Sequence, residues 1–238
     1  MSEWRAKRFW ASAGVDTGPG GFRVLLDGRP FKTPARSEMI VPTEALALAV
    51  AAEWDAQVEH IRPETMPFTR AVNVAIDRVG IEKEAIVKTL AAYADSDLLC
   101  YRAESPAELA ARQAERWDPL LDWAAATLGA RLVPVQGVMH APQDPRALAA
   151  VEARIGRFDS FELTALHDLV TLPGSAVLGL AVAEGHLDPP TAWALSRLDE
   201  LWQQELWGVD DEAERVASLK RADFEQSARF LALLEKDA

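Results

Sequence analysis

The stretch GFRVLLDGRPF, residues 21–31, predicts a β-hairpin and so decides the class of fold in the first part of the chain. Apolar side chains occupy alternate positions before the turn, which is typical of a strand buried on one face. The pair Asp27-Gly28 readily adopts the positive φ angles of a tight two-residue turn. Since Pro30 has no N–H to donate, we expect the returning strand to lie at the edge of an antiparallel sheet.

After this hairpin the apolar residues change from a repeat of two to a repeat near 3.6, which predicts helices. Thr43 is a suitable N-cap for a first helix that extends to about Gln57. A second amphipathic helix is predicted over residues 68–79, and Gly80 is expected to end it. The N-terminal part of the chain therefore combines an antiparallel sheet with helices.

A predicted helix start at Ser105 marks the expected boundary between two domains. Ser105 can act as a cap, Pro106 suits the first helical position, and Glu108 completes a capping box. Most of the sequence that follows has helical spacing. The prediction is an α+β fold, with a small N-terminal α/β domain over residues 1–104 and a mostly α-helical C-terminal domain over residues 105–238.

Composition and charge limit the classes of function that fit this chain. With 238 residues, 49% of them hydrophobic, it can bury one large core or two smaller ones. The net charge of −12 argues against broad binding to the phosphate backbone of nucleic acids, which needs clustered Lys and Arg. No apolar run approaches the roughly 20 residues of a membrane span, and the first residues lack the apolar centre of a secretion signal. We therefore expect a cytoplasmic protein without an integral membrane segment.

Few residues offer catalytic chemistry. The four histidines lack the close spacing of metal ligands, and the single cysteine, Cys100, lies in an apolar run that predicts a core residue. We therefore expect neither a metal site nor a cofactor. Asp95 and Asp97 form a D-x-D pair that could hold Mg²⁺ through oxygen ligands, which makes a magnesium-dependent hydrolase the alternative function. The same carboxylates could instead accept backbone N–H bonds in a turn.

Residues 191–207, TAWALSRLDELWQQELW, predict one helix with two different faces. One face would carry an apolar stripe formed by Leu195, Leu198, Trp202 and Leu206. The opposite face would carry, seven residues apart, Trp193, Glu200 and Trp207. An acid between two indoles could receive an Arg or Lys side chain of a partner protein. The alternative is a structural helix that packs on both faces, with Glu200 paired inside the same chain.

Six stretches, taken together and in this order, resemble the assembly chaperones of the F-type ATP synthase, the ATP-twelve family. They are RFWASAGV, GFRVLLDGRPFKTP, VPTEALALAVAAEWDAQ, MPFTRAVNVAIDRV, YADSDLLCYRAESPAELAARQAERWDPLLDW and LDELWQQELWG. The resemblance runs from about Arg8 to the final helix. Because no Arg-rich transit segment precedes Arg8, we expect a bacterial member in the cytoplasm, whereas eukaryotic relatives act in the mitochondrial matrix.

The resemblance implies a function without catalysis. Members of the family hold the free α subunit of the catalytic head until the β subunit replaces them, which prevents aggregation of the exposed α surface. The family fold is a smaller α/β domain followed by a helical domain. A protein of this kind is expected to bind its client one to one and to be a monomer by itself. The remaining alternative is an interaction module with another client.

The resemblance also implies which acid matters for the client. A functionally important acid of the family lies in the LDE segment just before the WG pair, and this position matches Glu200, with the neighbouring Asp199 as the alternative. The predicted partner-binding set joins these two acids with nearby aromatic and amide side chains. Its members are Glu200, Asp199, Trp193, Trp207 and Gln203.

Overall fold

The antiparallel sheet predicted from the hairpin is present in a computed structural model of the chain, which describes residues 6–235. Its strands are β1 (Ala13–Gly18), β2 (Gly21–Leu26), β3 (Arg29–Pro30) and β4 (Ile40–Val41). β1 pairs antiparallel with one side of β2, and β3 and β4 pair antiparallel with the other side. Asp27 and Gly28 form the turn with φ angles of 49° and 74°, so the hairpin and the edge position of Pro30 are confirmed.

The first helix covers this sheet. α1 (Glu44–Asp55) packs on β1 and β2, and Val24, Leu46 and Val50 are fully buried. Thr43 is its N-cap as predicted, because the Thr43 hydroxyl accepts a hydrogen bond from the Leu46 N–H. The sheet and α1 therefore share one core.

The second helical segment is longer than predicted. α2 (Pro67–Val74) continues through one π-helical turn, Ala75–Val79, into α3 (Gly80–Ala92). Gly80 was expected to end the helix, but its backbone is helical, with φ of −59° and ψ of −28°. Glycine lowers helix propensity without excluding a helical conformation, and the chain departs from helical angles only at Glu82.

The rest of the chain is mostly helical. The helices are α4 (Ala107–Trp123), which ends in a π-helical turn (Ala124–Leu128), α5 (Pro145–Ile155), α6 (Ser160–Thr171), α7 (Ala176–Ala183), α8 (Pro189–Ser196), α9 (Leu198–Trp207) and α10 (Asp211–Ala232). Two short parallel strands accompany them, β5 (Tyr101–Arg102) and β6 (Val135–Gln136). Within residues 6–235, no helix is long and apolar enough to cross a membrane.

The capping box predicted at Ser105 is wrong. Pro106 occupies the N-cap of α4 with extended angles, and no side chain in that position bonds to the helix. Ser105 therefore lies one residue outside the cap, from which its hydroxyl does not satisfy the first helical N–H groups.

Two compact units account for the described residues. Unit 1 draws on Met1–Lys83, Ser160–Thr164 and Arg229–Ala238, as far as these are described, and contains the sheet and α1. Unit 2 is formed by Glu84–Asp159 and Ala165–Ala228. The core of unit 2 includes α7, in which every residue from Ala176 to Val182 is buried. The predicted boundary at Ser105 separates two segments that we expect to fold independently, and it stays a prediction.

Candidate functional site

The segment 191–207 folds as two helices, α8 and α9, so the prediction of one continuous helix is wrong. The break is at Arg197, whose φ of −109° and ψ of 16° are not helical. Beside it, the Ser196 hydroxyl donates to the Trp193 carbonyl oxygen at 2.7 Å. A serine side chain that binds a nearby carbonyl offers the backbone an alternative to continued helix, and this favours the break.

The two tryptophans consequently do not frame Glu200. Trp193 belongs to α8, is only 7% exposed, and packs against Phe224 with 5.7 Å between the ring centroids. Trp207 is the last residue of α9 and is 78% exposed. The predicted face of indole, acid and indole is therefore wrong, because its members lie on two helices.

The predicted apolar stripe is only partly a core face. Leu198 is buried, Leu195 and Trp202 are half-buried, and Leu206 is exposed. The stripe loses its cover toward the C-terminal end of α9.

Asp199 and Glu200 are neighbours with different surroundings. Asp199 is half-buried, and its Oδ1 accepts a hydrogen bond of 2.7 Å from the side-chain amide of Gln113 on α4. Gln113 is fully buried, and its own oxygen accepts the Ala103 N–H at 2.8 Å. Glu200 is exposed and lies 3.6 Å from Arg197. The structure therefore ties Asp199 into the protein and leaves Glu200 at the surface.

A recess of about 340 Å³ opens beside these two acids. One part of its wall is polar and is formed by Arg197, Asp199, Glu200, Gln203 and Lys220. Another part is apolar and includes Trp117, Trp193 and Leu172. The recess thus brings four of the five predicted partner-binding residues to one place, with Trp193 as a buried wall residue.

The last turns of α9 are held to α4 by a second contact. The Arg112 guanidinium donates to both carboxylate oxygens of Glu205, at 2.8 and 2.9 Å, and lies 4.5 Å from the centre of the Trp202 ring. The hydrogen bond from Arg112 lowers the pKa of the Glu205 carboxyl below its ordinary value. The consecutive residues Arg112 and Gln113 therefore position α9 at two points.

Sequence reasoning missed four residues of this arrangement: Arg112, Gln113, Arg197 and Lys220. A signal for Gln113 was available, since it follows Leu109 and precedes Trp117 at a spacing of four, on the apolar side of α4. A polar residue in such a position needs a buried partner. Its partners, Ala103 and Asp199, follow only from the tertiary structure.

Asp95 and Asp97 do not converge on a ligand site. Asp97 is fully buried, where Oδ1 accepts from the Ser175 hydroxyl at 2.7 Å and Oδ2 accepts from the Val177 N–H at 3.0 Å. Asp95 accepts from the Gln143 N–H at 2.9 Å. Among residues 6–235, no group of three or more His, Cys, Asp or Glu could hold a metal ion. Asp97 also accepts the nearby Leu99 N–H at 3.1 Å, as the turn interpretation expected, whereas Asp95 bonds a backbone group that is distant in the sequence.

Burial changes the pKa values of two side chains in this region, Asp97 and Cys100. It raises the pKa of the Asp97 carboxyl to about 6, although the hydrogen bond from Ser175 opposes this change. It also raises the pKa of the Cys100 thiol to about 12, and the Asp97 carboxylate adds to the effect. The prediction that Cys100 is a core residue is confirmed.

Comparisons with known proteins identify the family. A family model described as ATP12 chaperone protein matches residues 7–125. The chain is 28% identical over 222 residues to Protein atp12, mitochondrial, of Schizosaccharomyces pombe, and the match covers 88% of this chain and 76% of that protein.

Two solved structures are more similar to this chain in sequence than the Schizosaccharomyces pombe protein is. The crystal structure of Atp12 from Paracoccus denitrificans is 52% identical with a TM-score of 0.94, and the match covers 98% of this chain and 100% of that one. An aspartate-to-lysine mutant of the same protein gives 51% identity and the same TM-score and coverage. The α+β fold with an N-terminal antiparallel sheet is thereby confirmed. The chain belongs to the ATP12 family of ATP synthase assembly chaperones and is not an enzyme.

Proposed function

We propose that this protein holds the free α subunit of the F-type ATP synthase until the β subunit replaces it. Membership in the ATP12 family supports the coarse role, which is assembly of the ATP synthase. The observation that carries the finer proposal is the recess of unit 2, where Asp199 is fixed by Gln113 next to the exposed Glu200. The two carboxylates of this site can bind a cationic side chain on the surface of a client protein, although Arg197 and Lys220 line the same recess.

Asp199 supplies the anchored charge of this site. The Gln113 amide donates to Oδ1 of Asp199. Within the described part of the chain, no residue donates to its second oxygen, Oδ2. A client Arg or Lys can therefore bind Oδ2 without disturbing the contact that positions the carboxylate. Charge-assisted hydrogen bonds of this kind are stronger than neutral ones.

Glu200 supplies an exchangeable charge. Its ion pair with the half-buried Arg197 is long, at 3.6 Å, and the Glu200 side chain is exposed, so we expect the pair to be weak. A client cation can compete for this carboxylate at little cost. Gln203, three residues further along α9, lines the same recess and can donate to or accept from the client. Trp193 contributes as a buried wall of the recess.

Client binding by purified variants tests this proposal. The measurement is co-purification with the cognate α subunit, together with protection of isolated α from aggregation without added nucleotide. Glu200→Lys and Asp199→Lys are expected to weaken both. Glu59→Lys, which makes the same charge change on an exposed side chain of unit 1, is the matched control and should leave both unchanged.

Circular dichroism melting separates binding from folding. Because Glu200 is exposed, Glu200→Lys should melt as the wild type does while binding falls. A melting temperature that falls in step with binding would show that the acid is structural. If wild-type protein fails to bind α under conditions where α is soluble, the proposed function itself is wrong.

We also propose that the protein works in the bacterial cytoplasm and binds α one to one as a monomer. The support is that the identity to Atp12 of Paracoccus denitrificans, 52%, is much higher than the 28% to the mitochondrial relative. Light scattering of the complex would give its stoichiometry. The magnesium-dependent hydrolase is not proposed, because the family is not enzymatic and Asp97 is closed off from solvent.

A further inference from the structure

The turn between α9 and α10 is exposed along its whole length and yet regular in structure. All twelve residues numbered 205–216, called the α9–α10 turn from here on, are exposed. They include the last turn of α9 and the first turns of α10, which both have regular helical hydrogen bonds. Burial therefore does not account for the order of this segment.

Polar contacts hold the α9–α10 turn instead. Arg112 binds Glu205 at its start. Asp210 caps α10, since its Oδ1 accepts the N–H groups of Glu212 and Ala213 at 3.0 and 3.1 Å. The Gln204 amide donates to Glu214 at 3.3 Å and so joins the two helices. The segment is thus prepared in one conformation, which lowers the entropy lost on binding a partner.

Large apolar side chains stand on this prepared segment. Leu206, Trp207 and Val209 are 56%, 78% and 61% exposed and lie within four residues of one another. Exposed apolar clusters of this kind mark interaction sites, and tryptophan is among the side chains that dominate binding energy when a partner buries them. The apolar surface of these three side chains is therefore not buried in the core of this protein.

Carboxylates lie next to the apolar cluster in the sequence, and one of them, Glu212, is paired with Arg215. Asp210, Asp211, Glu212 and Glu214 follow it directly, and the stretch from Asp199 to Glu214 contains no basic residue. This charge favours a partner surface with Arg or Lys. It disfavours a second copy of the same segment, because two such turns would bring like charges together.

We propose that the α9–α10 turn is a docking element in addition to the recess, and that it places Trp207 in an apolar pocket of the client bordered by Arg or Lys. The inference rests on the proposed function in taking the free α subunit as the client. The turn and the recess are separate surfaces, since Trp207 does not line the recess.

The test measures the dissociation constant for the cognate α subunit with the full chain, at low and high salt. Trp207→Ala should weaken binding about tenfold or more, and Trp207→Phe should retain most of the affinity. Met139→Ala is the matched control, because Met139 is 81% exposed on another segment of unit 2 and should bind as the wild type does. Asp211→Lys should weaken binding and reduce its dependence on salt.

Each outcome decides between explanations. All four variants change exposed side chains, so melting temperatures close to that of the wild type are expected, with a small decrease for Asp211→Lys because a cation in the first turn of α10 is unfavourable. If Trp207→Ala binds α as tightly as wild type, the docking element is wrong while the proposed function stands. If wild type does not bind α, both are wrong. A wild-type dimer that Trp207→Ala converts to monomer would assign the turn to self-association and overturn the inference.

Discussion

Gln113 and Asp199, 86 residues apart in the chain, are joined by a hydrogen bond of 2.7 Å from the Gln113 amide to Asp199 Oδ1. The same glutamine accepts the Ala103 N–H, so one buried side chain fixes both the segment before α4 and the first turn of α9. This contact connects the folding of unit 2 to the acid at the recess.

Replacement of Gln113 should therefore affect stability and client binding together. Gln113→Leu leaves the Ala103 N–H and Asp199 without this partner, and we expect a loss of about 1–3 kcal/mol in the free energy of unfolding. Urea unfolding followed by co-purification with α measures both effects. Gln203→Leu changes an exposed glutamine on α9 and should alter stability by less than about 0.5 kcal/mol. Equal stability of the two variants would contradict a structural role for Gln113.

Asp97 should make stability fall as the pH rises through weakly acid values. Its pKa is about 6 in the folded protein, against an ordinary value of 3.8, because burial disfavours the charged carboxylate. Between these values the folded protein retains a proton that the unfolded chain has released, so ionisation costs the folded state about 3 kcal/mol by neutral pH.

Asp97→Asn isolates this contribution, since the other carboxylates titrate alike in both proteins. The free energy of unfolding of both proteins is measured in urea from pH 4 to pH 7. As the pH rises over this range, the wild type should become less stable relative to Asp97→Asn. The asparagine lowers stability by a constant amount, because its NH2 group replaces one carboxylate oxygen and cannot accept the backbone N–H bond made there. Parallel curves for the two proteins would disprove the assignment.

Gly179→Ala should destabilise the core of unit 2. A Cβ at this position would lie 2.5 Å from Val170 Cγ2 and 2.9 Å from the Leu169 carbonyl oxygen, both on α6. The backbone oxygen cannot move without distorting α6, so we expect a loss of about 1–3 kcal/mol in thermal or urea unfolding. Gly14→Ala is the control, because no atom lies within 4 Å of a Cβ there. A Gly179→Ala variant as stable as Gly14→Ala would contradict the close approach of α6 and α7.

Short sequence patterns correctly predicted the secondary structure elements that depend on interactions between nearby residues. The hairpin follows from alternate apolar residues and the Asp27-Gly28 turn, and α1 follows from its Thr43 cap. These features depend on neighbours within a few residues, where propensity and capping act.

The candidate site was less predictable because its geometry depends on contacts that are distant in the chain. Periodicity continues across Arg197, so residues 191–207 read as one helix although the backbone breaks there. The positions of Asp199 and Glu205 depend on Gln113 and Arg112, roughly ninety residues earlier. Family resemblance selected the acids, but only the tertiary structure separates the anchored Asp199 from the exposed Glu200.

The positions of the Asp199 carboxylate and the Trp207 indole on α9 affect how a client could be released to another subunit. Asp199 lies in the first turn of this helix and Trp207 at its last residue, which at 1.5 Å per residue separates them by about 12 Å. If both hold the client, each raises the local concentration of the other contact. An incoming subunit could then displace one contact while the second still holds, so that release of the client would take two smaller steps.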